Sequence, residues 1–196
     1  MKRLHSENIN TPGYFDGMWN DAHVDDFEDQ VRQRALTKYV KDGDIVLDVG
    51  CGVYGSCQYL AERTKIKAGL ICIDFSRRAM EIVTQRCKQI TFIEGDIRDL
   101  PFPDRSIDCV IAGEIIEHME DQAAFAKELC RVSRGWVALS TVNTESENAK
   151  KLKYPEHLWE FTPEDLTRLY APFGEVYYEL LGDYHMIYVK ITKKTE

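Results

Sequence analysis

Five short apolar runs alternating with stretches of helical periodicity constrain this chain more than any other feature. The runs are Ile45 to Val49, Gly69 to Asp74, Ile90 to Glu94, Ile107 to Ala112 and Trp136 to Ser140. A helix is expected from Asp25 to Lys41, where Phe27, Val31, Ala35 and Tyr39 recur four apart and Asp42-Gly43 supplies the stop. Further helices are expected from Ser56, with Cys57, Leu60 and Ala61 on one face, and after a capping Ser76, with Met80, Val83 and Cys87 on one face. Another covers Asp121 to Val132, with Phe125, Leu129 and Val132 inward. Strands that are apolar on both faces, separated by amphipathic helices, imply a parallel sheet covered on both sides. The end of the chain differs. Thr162-Pro163-Glu164-Asp165 opens a helix with a capping Thr and Pro at its first position. Glu175 to Leu181 and Met186 to Ile191 then form two strands around Gly182-Asp183. The expected fold is α/β: a doubly wound, seven-stranded, mostly parallel, Rossmann-like sheet ending in an antiparallel hairpin. No repeat or linker divides the chain, so residues 25–196 read as one domain behind an N-terminal arm, 1–24, where Gly13 and Gly17 break any regular pattern.

Composition sets outer bounds. A chain of 196 residues buries a real core. Its formal charge of −8 disfavours a generic grip on nucleic-acid phosphate, and the cluster Lys150, Lys151, Lys153 reads as a solvated loop. No apolar run approaches the ~20 residues of a membrane span. The opening residues MKRLHSENINTPGYFDG have no apolar signal core, so a cytoplasmic location is expected. The six cysteines, at 51, 57, 72, 87, 109 and 130, form no C-x-x-C pair and several lie in apolar runs. They read as buried reduced thiols rather than disulfides or a zinc cluster.

The first apolar run ends in Asp48-Val49-Gly50-Cys51-Gly52-Val53-Tyr54-Gly55. Glycines here permit a tight strand-to-helix turn and close approach of a ligand to the backbone. Asp74, at the end of the second run and 19 residues past Gly55, is placed to accept hydrogen bonds from both ribose hydroxyls of an adenosine. Those two features fit a nicotinamide dinucleotide as well as S-adenosylmethionine. Asp48 separates them, because a carboxylate before the glycines repels a pyrophosphate and favours an amino-acid ammonium.

Glu94-Gly95-Asp96-Ile97 and the train Leu100-Pro101-Phe102-Pro103-Asp104-Arg105-Ser106-Ile107-Asp108-Cys109-Val110 follow in order. From Ile45 to Ser140 the sequence resembles the class I S-adenosylmethionine-dependent methyltransferases. The resemblance implies that Gly50 and Gly52 approach the methionine part and that Asp48 helps to hold its amino group. It implies further that Asp74 takes the ribose, Phe75 packs on adenine, and Asp96, with Ile97 beside it, binds the adenine amino group. Cys51, Gly55 and Glu114 complete the cofactor-binding set. Tyr14 and Trp19 on the arm close over the site or simply pack there.

Beyond the fourth run stands Glu114-Ile115-Ile116-Glu117-His118, at the strand end where ligands gather in doubly wound sheets. If residues 114–118 form a helical turn, Glu114, Glu117 and His118 share one face. Two carboxylates and an imidazole bind a divalent ion such as Mg²⁺, Mn²⁺ or Zn²⁺, or supply a general base. His157, in Glu156-His157-Leu158-Trp159-Glu160, precedes the capped helix. This pairing resembles ubiquinone-pathway O-methyltransferases and small-RNA terminal 2′-O-methyltransferases, which implies Glu114, Glu117, His118 and His157 as metal ligands. A metal site with Mg²⁺ or Mn²⁺, a metal-free catalytic base and a structural role all stay open here.

A cluster of acids and histidine suits a hydroxyl acceptor, which must lose a proton, better than an amine. The expected function is O-methylation of a small molecule or glycan. RNA 2′-O-methylation and an inactive scaffold subunit are the alternatives. The sequence sets no expectation for the acceptor's identity or the oligomeric state.

Overall fold

In chain order the elements are β1 (Lys2–Arg3), α1 (Pro12–Met18), α2 (Phe27–Leu36), β2 (Ile45–Val49), α3 (Ser56–Arg63), β3 (Gly69–Asp74), α4 (Arg77–Arg86) and β4 (Ile90–Glu94). There follow β5 (Ile107–Gly113), α5 (Gln122–Val132), β6 (Ser133–Val142), β7 (Trp159–Glu160), α6 (Pro163–Tyr170), β8 (Gly174–Leu181) and β9 (Tyr184–Ile191). Short 3-10 turns cover Ile116–His118 and Ala149–Lys151. This computed structural model describes residues 1–19, 27–151 and 154–192.

Seven strands form one sheet in the order β4-β3-β2-β5-β6-β9-β8. The pairs among β2 to β6 are parallel, and β9 runs antiparallel to both β6 and β8. The expected doubly wound sheet with a terminal hairpin is therefore present, with Gly182 at φ +56° in the hairpin turn. Each parallel strand feeds both faces. On β2, Leu47 and Val49 join a core under α5 and α6 with Val110, Leu129, Leu139 and Leu166. Val46 joins the opposite core, under α2 and α3, with Leu36, Leu60, Cys72 and Ile111. Two buried faces explain the predominantly apolar runs.

Several local expectations are corrected. The arm holds a helix: Thr11 caps α1 by accepting the Tyr14 N–H at 3.2 Å, and Pro12 starts it, so Gly13 and Gly17 are absorbed in a short helix. The N-terminal β1 also pairs with β7. The next helix ends at Leu36, not Lys41, because its last turn tightens to i→i+3 bonds from Lys38 to Ala35 and from Val40 to Thr37. Its buried side carries Gln33, Leu36, Thr37 and Val40, while Val31 is exposed. Tyr39 stacks on Trp136 at 3.8 Å instead of continuing a helical stripe. Along α4 and its C-cap, Val83 and Cys87 are buried as expected, Ala79 and Ile82 join them, and Met80 is only half-buried. The beginning of the expected first helix, Asp25 and Asp26, lies outside the described residues, as do Lys153 and the arm residues 20–24. The expected α6 capping box is present, with Thr162 and Asp165 bonding each other's backbone N–H.

Leu47 and Ile45 lie on one strand but differ in environment: Leu47 is fully buried and Ile45 is 37% exposed. Leu47→Ala should therefore cost about 2–5 kcal/mol in urea unfolding, and Ile45→Ala about 0.5 kcal/mol or less. Equal losses at the two positions would contradict this packing.

Candidate active site

The chain runs from β2 outward through β3 to β4 and then returns to β5 on the other side of β2. Loops after β2 and β5 therefore part in opposite directions and leave a crevice at the strand ends. A cavity of about 920 Å³ fills it, running from Asp74, Phe75, Asp96 and Ile97 past the glycine loop to Glu114, His118, Tyr154 and His157.

The glycine loop is shaped by contacts that admit no side chain. Gly50 and Gly52 have φ of +68° and +54°. A Cβ at Gly50 would strike Ile115, and one at Gly52 the ring of Trp19. Asp48 lies beneath the loop, 2% exposed, with Oδ2 accepting the Cys57 N–H at 3.0 Å and pressed against Gly55. Burial drives its pKa up to about 6, against the opposing pull of backbone N–H groups at Cys57 and Ser56. Asp48 thus holds the start of α3 as well as lining the cavity.

Asp74 ends β3, almost fully buried. Oδ2 accepts the Gly52 N–H at 3.0 Å and Oδ1 the Ser76 N–H at 2.9 Å, so each oxygen keeps a lone pair for a ligand hydroxyl. Desolvation raises its pKa, and those backbone donors oppose the rise. Asp96 is half-exposed and gripped by the Arg98 guanidinium, which holds its pKa low. Ile97 is buried beside it and Phe75 lies at the cavity wall. Backbone amides, a strand-end carboxylate and an apolar slot form a cradle whose donor set fits an adenosyl amino acid.

At the other end, the structure departs from the expected helical turn. Glu114 has φ +55°, so it cannot begin a helix, and the 3-10 turn starts two residues later. Its Oε1 accepts from Ser140 Oγ at 2.9 Å, with Arg32 Nη1 at 3.9 Å. Glu114 is therefore tied to Ser140 on β6 and stays outside the cluster formed by its expected partners. Glu117, His118 and His157 do converge: one ligand atom from each lies within 4.8 Å of the others, and all three are buried. The expected four-ligand set becomes three.

His118 Nδ1 lies 3.0 Å from the Glu156 carbonyl oxygen. A carbonyl only accepts, so this contact favours the tautomer with the proton on Nδ1 and the lone pair on Nε2. Burial lowers the His118 pKa, opposed by the Glu156 carbonyl and charge and by the Glu114 carbonyl. His157 stacks on Tyr154 at 4.4 Å and meets His118 edge-on at 4.9 Å. Burial, then the His118 charge, lowers its pKa to about 3. The Glu117 oxygens have no hydrogen-bond partner of ordinary geometry, and burial, followed by the Glu114 charge, raises its pKa. Desolvation thus disfavours charge on all three side chains.

Helix α1 lies across the cavity. Phe15 packs against Phe75 at 5.6 Å and His118 at 5.8 Å, touching both ends. Tyr14 Oη donates to Glu156 Oε2 at 3.3 Å, and Trp19 lines the cavity. Asp16 Oδ1 accepts from Ser76 Oγ at 2.5 Å and from the Arg78 N–H at 3.2 Å, fastening α1 to the start of α4. Phe15, Asn10 (whose amide donates to the Glu156 carbonyl at 3.0 Å) and Tyr154 were not found by sequence reasoning. Phe15 alone had a signal, as an aromatic beside Tyr14.

The fold and this crevice define a class of Rossmann-like domains that hold an adenosyl ligand at the strand-order reversal. The sequence pattern described as methyltransferase domain matches residues 47–139. A probable S-adenosylmethionine-dependent methyltransferase of Mycobacterium tuberculosis is 31% identical over 144 residues, covering 71% of this chain and 52% of the relative. A chloroplastic tocopherol O-methyltransferase of Arabidopsis thaliana is 34% identical over 58% of this chain and 34% of its own length. The solved structure of an S-adenosylmethionine-dependent methyltransferase from Aquifex aeolicus superposes with a TM-score of 0.70, covering 93% of this chain and 99% of that one at 19% identity. The chain belongs to the class I S-adenosylmethionine-dependent methyltransferases. It spans about half the length of the mycobacterial relative.

The neutral imidazoles carry a pH signature. Unfolded, His157 titrates near about 6.5; folded, at about 3. Between those values the unfolded chain binds a proton that the folded chain refuses, so stability present above about pH 6.5 is lost as pH falls. His157→Gln should flatten the decline in Tm between about pH 7 and 5. An unchanged slope would show that His157 charges in the folded state.

Proposed function

We propose that this protein transfers the methyl group of S-adenosylmethionine to a hydroxyl of a small molecule or glycan, with His118 as the general base. The observation that carries the reading is the favoured tautomer of His118: Nδ1–H donates to the Glu156 carbonyl, leaving Nε2 free to take a proton. When bound, the sulfonium supplies an already activated methyl group, so the chain's tasks are alignment and proton removal. Asp74 and the Gly50–Gly52 amides orient the cofactor, with Asp48 beneath as counter-charge to its ammonium. Glu117, buried beside the histidine pair with its pKa raised by desolvation, stands next to that base. Similarity to the tocopherol O-methyltransferase supports a hydroxyl acceptor, and the charge of −8 argues against RNA. Among the described residues no helix is long and apolar enough to cross a membrane. That agrees with a cytoplasmic location.

A second reading is favoured by the 4.8 Å convergence of Glu117, His118 and His157. Those side chains would hold a divalent cation such as Mg²⁺ or Mn²⁺, which supplies Lewis acidity toward a hydroxyl. Loss of turnover on chelation, with recovery in Mn²⁺, supports it. Full activity of chelated enzyme removes it and leaves His118 acting alone.

S-adenosylmethionine and S-adenosylhomocysteine should raise Tm, and NAD should not. Calorimetric heat from NAD alone would overturn the cofactor assignment. Asp74→Ala should weaken S-adenosylhomocysteine binding by about 1–3 kcal/mol, and parent-like affinity would dismiss the ribose role. His118→Ala should lower kcat roughly 100- to 10,000-fold while preserving cofactor affinity. Once an acceptor is in hand, a fall in cofactor affinity instead of kcat would place His118 outside the chemistry.

A further inference from the structure

Three of the six thiols gather directly beneath the glycine loop. Cys57, in the first turn of α3, and Cys51, in the loop, each lie within hydrogen-bonding reach of Cys72 on β3. Asp48 stands beside them, directly opposite Cys72 in the β2–β3 register. A carboxylate oxygen of Asp48 and the sulfurs of Cys57 and Cys72 lie within 4.8 Å of one another. None of these four residues is more than 6% exposed. The ligands come from two strands, a loop and a helix, which is why no C-x-x-C spacing marks them and why the sequence reads only as buried thiols.

We propose that Asp48, Cys57 and Cys72, completed by Cys51, form a site for a thiophilic divalent cation, zinc in the first instance, whose occupation opposes binding of the cofactor. Three sulfurs and one oxygen are a closed tetrahedral zinc set. Sulfur at about 2.3 Å from zinc places the ligand atoms of a tetrahedron roughly 3.7 Å apart, so a contraction of about 1 Å closes the Asp48–Cys57–Cys72 triangle, and Cys51 joins by swinging in from beside Cys72. Ligation releases the thiol protons to solvent, and the cation neutralises a carboxylate that is otherwise buried among sulfur and carbon. Asp48 and Cys51 line the floor of the cavity, which gives the ion its route when the cofactor is absent.

The opposition to cofactor follows from the same atoms and rests on the cofactor reading above. Cys51 sits between Gly50 and Gly52, both held at positive φ. Drawing its sulfur toward a cation shifts the backbone on which the methionine part would lie. The cation also occupies the Asp48 carboxylate that would face the ammonium.

The test uses the reduced full chain and Co²⁺ as the probe for zinc. One equivalent should produce thiolate-to-cobalt charge-transfer absorption, bleached by added Zn²⁺. His157→Ala, which disables the other ion-sized cluster, should leave the band intact. Cys57→Ala and Cys72→Ala should each weaken cobalt affinity about tenfold or more, while binding S-adenosylhomocysteine in metal-free buffer as the parent does. One equivalent of Zn²⁺ should weaken S-adenosylhomocysteine binding about tenfold or more in the parent and leave Cys72→Ala unaffected. The proposal is overturned by no charge-transfer band, by a band that survives Cys57→Ala/Cys72→Ala together, or by parent affinity for S-adenosylhomocysteine that ignores zinc. If the metal-free parent fails to bind S-adenosylhomocysteine, the cofactor reading falls, and the cobalt titration still decides the site.

Discussion

Parallel pairing of β2 with β5 is the constraint on which the site depends. Val46, Leu47 and Asp48 pair with Cys109, Val110 and Ile111, so both strands end on the same edge of the sheet. The glycine loop and the Glu114–His118 segment leave from those neighbouring ends, one ahead of a helix and the other ahead of a 3-10 turn. Neither segment could meet the other if the strands were antiparallel, and neither would have a crevice to face without the reversal of strand order between them.

Holding that edge in place requires burying charge. Asp48, Asp74 and Glu117 are all buried, and desolvation raises the pKa of each. The two aspartates are offset by backbone N–H groups from the loop and the helix starts, so their carboxyl groups also organise the backbone. At Glu117 burial and the Glu114 charge raise the pKa against the pull of its own backbone N–H and the Thr141 hydroxyl. The histidines beside it are kept neutral by the same desolvation. Low dielectric therefore raises all three acids, and the donors around each one oppose the rise.

The parallel strands were legible because a strand buried on both faces has to be largely apolar, as Ile45 to Val49 and Ile107 to Ala112 are but for Asp48 and Asp108. The glycine loop was legible because positive φ at Gly50 and Gly52 restricts residue choice. Caps at Ser76 and Thr162 were legible because a side-chain oxygen three residues ahead of an orphan N–H is a local device. What escaped is tertiary. Helix α1 has two glycines and no buried residue, so it depends on Asp16 reaching α4 and Phe15 reaching the cavity. The tie that keeps Glu114 out of the cluster around Glu117 depends on Ser140, a residue 26 positions away on the neighbouring strand. The meeting of Cys51, Cys57 and Cys72 depends on strand register that no spacing encodes.

Glu114 has a further consequence. A non-glycine residue held at φ +55° carries a backbone cost on the order of 1–3 kcal/mol. That is a sizeable share of the roughly 5–15 kcal/mol by which a domain is usually stable. Glycine would relieve the cost and lose the carboxylate that Ser140 and Arg32 hold. The fold thus gives up part of its own robustness at the mouth of the crevice to keep an acid there, a trade of thermal endurance for chemical equipment.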